Sequence, residues 1–386
     1  MEFTSKALQK ARTYETEKQK EIPLAERPDF HVTPPVGWIN DPNGFSCYQG
    51  EYHLFCQYHP YDTHWGPMHW MHKKSQDLIT WETLPAALAP DEPYDAQGCF
   101  SGTAIEDEGQ HVLLYTGVQE CVQADGSLKT FQTQNIAIGD GLNYQKLPQN
   151  PVIRADLLPE GSSVSDFRDP KIWKEQGRYY AAVGNLAADG SGQIALFSAE
   201  RLDAWKFETI LDSCKHRYGR MWECPDFFPL DGKQVLLVSP QFMKAEGLEF
   251  HSGNNAIYLI GDYRPENFQF SRKEAYSVDY GLDFYAPQTV EAFDGRRILI
   301  GWLQSWDNYL TPPSQAWSGI MSIPRELSIR DGRLIQTPVR ELSAYHGKSV
   351  QKQNILLQGG SYLPCRDATS YQEESGEMSQ ILGIQG

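Results

Sequence analysis

Several things are scarce in this 386-residue chain, and each scarcity excludes something. Its seven cysteines are an odd number, scattered, with no C-x-x-C pair. That pattern argues against a disulfide framework and for a reducing compartment. No apolar run approaches the ~20 residues needed to span a bilayer. Met1 to Lys20 is polar and charged, without the apolar stretch of a signal peptide. The expected location is therefore cytoplasmic, with no membrane partner. Positive charge is short as well: 34 Lys and Arg face 50 Asp and Glu, a formal net charge of −16. A field of that sign repels phosphate backbones, so no nucleic acid partner is expected, whereas a small neutral sugar is indifferent to it. Metal spacings are missing too. His53, His59, His64, His69 and His72 crowd one stretch, yet none falls in an H-E-x-x-H or zinc-ribbon pattern, and no D-x-D-x-D-G calcium loop occurs.

What the chain does have is aromatic residues, at 12% with 10 Trp and 20 Tyr, which suit strands, cores and sugar-stacking surfaces alike. It also has a repeat. A turn glycine followed by a β-rich run recurs at Gly50, Gly109, Gly177, Gly232 and Gly295, with intervals of 59, 68, 55 and 63 residues. An aromatic in a short polar strand keeps the same beat: Trp81, Tyr144, Trp205 and Phe268, spaced by 63, 61 and 63. Each unit reads as several short strands bounded by Gly, Asp and Pro turns. Such a unit cannot bury both faces alone, and radial repetition about an axis solves that problem. The prediction is an all-β chain built as a five-bladed β-propeller over residues 28–340, a sandwich or barrel with fortuitous spacing being the alternative. An N-terminal helical or flexible segment at 1–27, rich in alternating Glu and Lys, precedes it. A C-terminal remnant at 341–386, without a readable strand pattern, follows.

Acidic residues sit at the start of several units: Asn40-Asp41-Pro42, Arg168-Asp169-Pro170 and Glu223-Cys224-Pro225, with Asp283 to Pro287 as a fourth relative. Asp-Pro and Asn-Gly pairs are ordinary turn residues, and any one of these motifs alone is read that way. In a propeller, however, equivalent positions of different blades converge at one end of the channel. Converging carboxylates repel one another, which costs stability. Glycosidic hydrolysis needs two of them, an acid for the leaving oxygen and a base or nucleophile opposite, and a third can steady the transition state.

The stretches WINDPNG at 38–44, FRDP at 167–170 and WECPD at 222–226 resemble the signature motifs of glycoside hydrolase family 32. Further matches lie at Phe55 to Tyr58, Trp65 to Trp70 and Cys99 to Gly102, so the resemblance covers roughly residues 28 to 340. It implies release of fructose from sucrose, sucrose-6-phosphate or a fructan through a fructosyl-enzyme, with configuration retained and no metal or organic cofactor. It also implies roles: Asp41 as nucleophile, Glu223 as acid and then base, and Asp169 as transition-state stabiliser. Ile39, Asn40, Gln57, Ser101 and Arg168 match fructose-binding positions. Trp65 and Phe100 match the apolar wall of the pocket, which Trp306 joins unless it is core. Cys224 reads as a small buried neighbour, not a nucleophile. The basic run Lys215, His216, Arg217 and Arg220 is the candidate for a phosphate contact, with a solvated loop as the other reading. The family's usual C-terminal β-sandwich is expected to be missing. Two rivals are a sugar-binding propeller without activity and a transferase passing fructose to another sugar.

Overall fold

Four of the five repeat glycines take the second place in a two-residue hairpin loop whose first residue is also left-handed. The pairs are Gln49-Gly50, Glu108-Gly109, Gln176-Gly177 and Asp231-Gly232, with φ of 47–49° at the first member and 74–81° at the glycine. Two left-handed residues make a type I′ turn, whose twist matches that of the strands it joins. Gly295 (φ 82°) closes a slightly longer loop, in which the Ala292 N–H donates to the Arg296 carbonyl at 2.7 Å. The recurring glycine is thus the joint between the first and second strands of each unit.

The computed structural model describes residues 4–308, 311 and 315–347, and the backbone of residues 372–375 and 378–381. Five antiparallel sheets form a five-bladed β-propeller. Blade 1 comprises Gly37–Tyr48, Glu51–His59, His69–Ser75 and Glu82–Leu88. Blade 2 comprises Gly98–Asp107, Gln110–Val122, Leu128–Gly139 and Tyr144–Lys146. Blade 3 runs from Phe167–Glu175 through Arg178–Leu186 and Gly192–Ala199 to Trp205–Ser213. Blade 4 runs from Trp222–Leu230 through Lys233–Pro240 and Ile257–Arg264 to Gln269–Ser277. Blade 5 is Tyr285–Glu291, Arg297–Trp302, Arg325–Arg330 and Arg333–Pro338. The first strand of every blade lies innermost, each against the next, and the fifth returns to the first. Trp317–Ser318 pairs in parallel with Gly37 and Trp38 and so closes the ring through blade 1. The second repeat marker begins or immediately precedes each fourth strand of blades 1–4, and Trp81 and Trp205 each donate from the indole to a carbonyl three residues back.

Burial follows the blade junctions. Five apolar clusters fill the five gaps, for example Leu236, Val238, Ile257 and Trp222 of blade 4 against Ile194 and Leu196 of blade 3. A middle strand can therefore have both faces buried and read as a continuous apolar run, as in Val235 to Val238.

Both termini carry detail that the sequence does not give. The charged N-terminal stretch is a docked helix, Lys6–Lys18, N-capped by Ser5, whose Oγ accepts the Leu8 N–H at 3.1 Å. Its Glu15 is buried and accepts the Ala86 N–H of blade 1's outer strand at 2.8 Å, while Arg12 donates to the Ala86 carbonyl. The alternating charges mask this because only one face of the helix is solvated. At the other end, where no strands were expected, residues 372–375 pair antiparallel with 378–381. The rest of the chain past residue 347 lies outside the described residues.

Candidate active site

The channel end of every inner strand carries a register shift. It falls between Ile39 and Pro42, Phe100 and Gly102, Arg168 and Lys171, Glu223 and Asp226, and Tyr285 and Gln288. In blades 3, 4 and 5 the residue before the proline is left-handed: Asp169 (φ 64°), Cys224 (φ 48°) and Ala286 (φ 50°). A non-glycine residue held there costs of order 1–3 kcal/mol, the kind of strain that gathers at functional sites. A bulge sets two residues against one and re-aims their side chains, so neighbours in sequence both reach the pocket.

Aligned on their prolines, the motifs fall into two ranks. Asp41, Asp169, Cys224 and Ala286 form one; Asn40, Arg168, Glu223 and Tyr285 form the rank before it. The three carboxylates are therefore not at matched positions, as expected from sequence, because Glu223 is one residue out of step. Asp283 is not a fourth member. It stays on the loop, where its carboxylate accepts from Asn308 at 2.8 Å, and Tyr285 takes the place in the blade.

Asp41 is almost wholly buried, and its two oxygens are separately held. Oδ1 accepts from Asn40 at 3.0 Å and Oδ2 from Ser101 at 2.7 Å. Asn40 is itself oriented by the Trp38 indole N–H at 2.9 Å. Asp169 Oδ2 accepts the Cys224 backbone N–H at 3.0 Å, and the Asp169 N–H donates to Thr116 Oγ1 at 2.9 Å. Glu223 lies between two partners: Arg168 Nε donates to Oε1 at 3.0 Å, and Tyr285 Oη lies 2.6 Å from Oε2 and 3.0 Å from the Ser239 carbonyl. Arg168 is braced by Gln132 at 3.2 Å and Asp166 at 3.1 Å.

Electrostatics follow from this crowding. Burial lifts Asp169 to about 7, helped by the charges of Glu223 and Asp41 and opposed by Arg168. Burial also raises Asp41, with Glu223 adding to the effect and the Ser101 and Asn40 hydrogen bonds opposing it. Cys224 is pushed far up by burial and then by its carboxylate neighbours, so its thiol keeps its proton. Its Sγ lies 3.5 Å from Asp41 Oδ2 and 3.6 Å from Asp169 Oδ2, a weak shared donor between two anions and not a nucleophile.

The remaining predicted residues divide. Gln57 is buried and donates to the Cys99 carbonyl at 2.9 Å, next to Phe100 and Ser101. Trp65, 49% exposed, meets Phe100 edge-on at 5.9 Å, giving an apolar flank beside Ser101. Trp306 is half-buried, stacked on Trp38 at 6.4 Å and edge-on to Trp302 at 5.2 Å. Ile39 is completely buried in the core between blades 1 and 5, so its side chain serves packing. In the basic run, Arg217 pairs with Glu274 at 2.7 Å, and His216 lies 3.7 Å from Asp189. Sequence reasoning missed Tyr285 and Trp38. Trp38 stands in the WINDPNG motif, where its indole partner could have been suspected; nothing in the sequence links Tyr285 to Glu223, 62 residues away. Among the described residues no group of three or more His, Cys, Asp or Glu could hold a metal ion, and no helix is long and apolar enough to cross a membrane.

A family model described as the N-terminal domain of glycosyl hydrolases family 32 matches residues 31–338. A sucrose-6-phosphate hydrolase of Zymomonas mobilis is 43% identical over 327 residues, covering 82% of this chain and 62% of that protein. A raffinose invertase of Escherichia coli is 40% identical over 335 residues, covering 86% and 68%. The chain thus spans between three fifths and about two thirds of these relatives' length. Among solved structures, the Bombyx mori GH32 β-fructofuranosidase BmSUC1 superposes with a TM-score of 0.82 at 38% identity, covering 90% of this chain and 72% of that one. A variant of that same enzyme has been solved in complex with sucrose.

Proposed function

The chain belongs to glycoside hydrolase family 32, and from that premise we propose that it releases fructose from sucrose or a close relative as a retaining β-fructofuranosidase. Asp41 attacks the anomeric carbon of the fructosyl unit as its bond to the leaving oxygen breaks. Glu223 gives that oxygen its proton. Glu223 then takes a proton from water, which attacks the fructosyl–Asp41 ester and frees fructose with configuration retained. Asp169 holds negative charge beside the oxocarbenium-like transition state.

The observation that carries this reading is the convergence of Asp41, Asp169 and Glu223 from blades 1, 3 and 4, with Cys224 touching the first two. The partners of each carboxylate suit its part. Asn40 and Ser101 hold both oxygens of Asp41, which orients the nucleophile. Glu223 has a partner in either protonation state: Tyr285 donates to the carboxylate, or accepts from the acid while donating to the Ser239 carbonyl. Trp65 and Phe100 supply an apolar flank, and Gln57 and Arg168 supply polar contacts for sugar hydroxyls.

The test is sugar release from sucrose and sucrose-6-phosphate by the 386-residue chain, with Asp41→Asn as control. Fructose release that drops on the order of 10³-fold or more in the variant is expected for loss of a covalent nucleophile. A folded chain that releases nothing, or a variant as active as the parent, would overturn the reading.

A further inference from the structure

The far ends of the five inner strands surround a second cavity of about 560 Å³, lined from every blade. At about 3.3 Å per strand residue it lies roughly 15 Å down the channel from the carboxylates. Its volume falls in the range of small-molecule sites. Phe45, Trp173 and Phe227 give it apolar wall, and two cations border it, Lys171 and Arg297.

The two cations differ. Lys171 Nζ donates to Asp226 Oδ2 at 3.0 Å and to the Thr289 carbonyl at 2.9 Å, so the buried Asp226 balances its charge. The Arg297 side chain is 12% exposed and lies over the Phe228 ring at 4.8 Å. Its guanidinium has one polar partner among the described residues: Glu291, 3.3 Å from Nη2, whose side chain is 66% exposed. Nε and Nη1 are left unpaired beside the cavity. A guanidinium is a rigid fork of five donors, and a single long contact to a solvated carboxylate leaves most of them open to water or a ligand. Burial accordingly draws its proton affinity down, although Asp226 and Glu291 oppose this.

We propose that this distal cavity binds a small monocarboxylate, with the carboxylate forked by Arg297 and the apolar body against Phe45, Trp173 and Phe227. A carboxylate matches the planar fork in two parallel hydrogen bonds. One charge suits the site and two do not, because exposed Glu106, Glu175 and Glu291 ring the opening and Lys174 is already paired with Asp107. The site does not depend on the catalytic assignment.

The experiment is calorimetric titration of the full chain with benzoate at constant ionic strength. Saturable binding with one equivalent is expected, weakened at least tenfold in Arg297→Gln and tightened several-fold in Glu291→Gln, which frees the fork. Asp41→Asn should leave it unchanged. Should Arg297→Gln not fold, Glu291→Gln still decides. No saturable heat beyond that of matched chloride overturns the proposal. So does binding indifferent to Glu291→Gln, or binding abolished by Asp41→Asn, which would put benzoate in the carboxylate pocket.

Discussion

Replacing Asp169 by Asn should make the folded chain more stable at alkaline pH while abolishing activity. Burial and the charges of Glu223 and Asp41 lift this carboxyl from 3.8 to about 7. A carboxyl whose folded-state value exceeds its unfolded one contributes stability that is complete below about pH 4 and is lost as the pH climbs through 7. A gap of about 3 units at ~1.4 kcal/mol each sets an upper figure of ~4 kcal/mol. The charges around Asp169 respond to its proton as well, so about half of that figure, ~2 kcal/mol, is assigned to Asp169 itself. Asn keeps the shape, and its carbonyl can still accept the Cys224 N–H, but it carries no charge at any pH. With an unfolding entropy of about 2.1 cal/mol/K per residue over roughly 340 ordered residues, ~2 kcal/mol is a rise of about 3 °C in Tm. Thermal denaturation of parent and variant at pH 5 and pH 8 measures it. The shift should be present at pH 8 and much reduced at pH 5. A variant that is less stable at pH 8, or equally shifted at both values, would refute the view that repulsion and burial dominate over the attraction of Arg168.

Tyr285→Phe removes the hydroxyl 2.6 Å from Glu223. A hydrogen bond to a charged group is worth about 1.5–3 kcal/mol, so kcat should fall roughly 10- to 100-fold with KM little changed; an unaltered kcat would exclude a role for the hydroxyl. Gly232→Ala puts a Cβ into open space but at φ 74°, so only backbone strain is added. A loss of about 1–2 kcal/mol in urea denaturation is expected, smaller for Gly232→Asn, and an equal loss for both would point to something other than the left-handed backbone.

The propeller was legible because its joints demand particular residues. A type I′ turn needs left-handed backbone, which keeps glycine at Gly50, Gly109, Gly177 and Gly232, and the aromatic beat marks where fourth strands begin. The ranks at the pocket were not legible, since bulges shift register without disturbing the repeat. In sequence Asp283 therefore reads as a fourth acid although it never enters the blade, and Glu223 reads as the equivalent of Asp169. A helix is among the forms expected at the N-terminus, but its docked face is hidden for a related reason. Glu15 reads as one more surface charge, yet it is buried and raised to about 7, chiefly by burial, because it supplies an acceptor to the outermost strand of blade 1. Composition cannot show which backbone N–H groups of an edge strand remain to be satisfied.

The two-residue pairing that closes the ring also sets an order of events during synthesis. Asp41 is made early, on a strand whose parallel neighbour, Trp317–Ser318, lies 280 residues later in the chain. Blades can form one after another by local hairpins as they are made, since each contacts chiefly itself and its predecessor. The carboxylates of blades 1, 3 and 4 can gather before the end, but the strand bearing Asp41 stays open along one edge until residue 318 has been translated. Contacts of such long sequence separation form last and slowly. A ribosome-bound chain stopped short of that point would display four wedges and an unguarded seam, and the pocket would be finished by its last stitch.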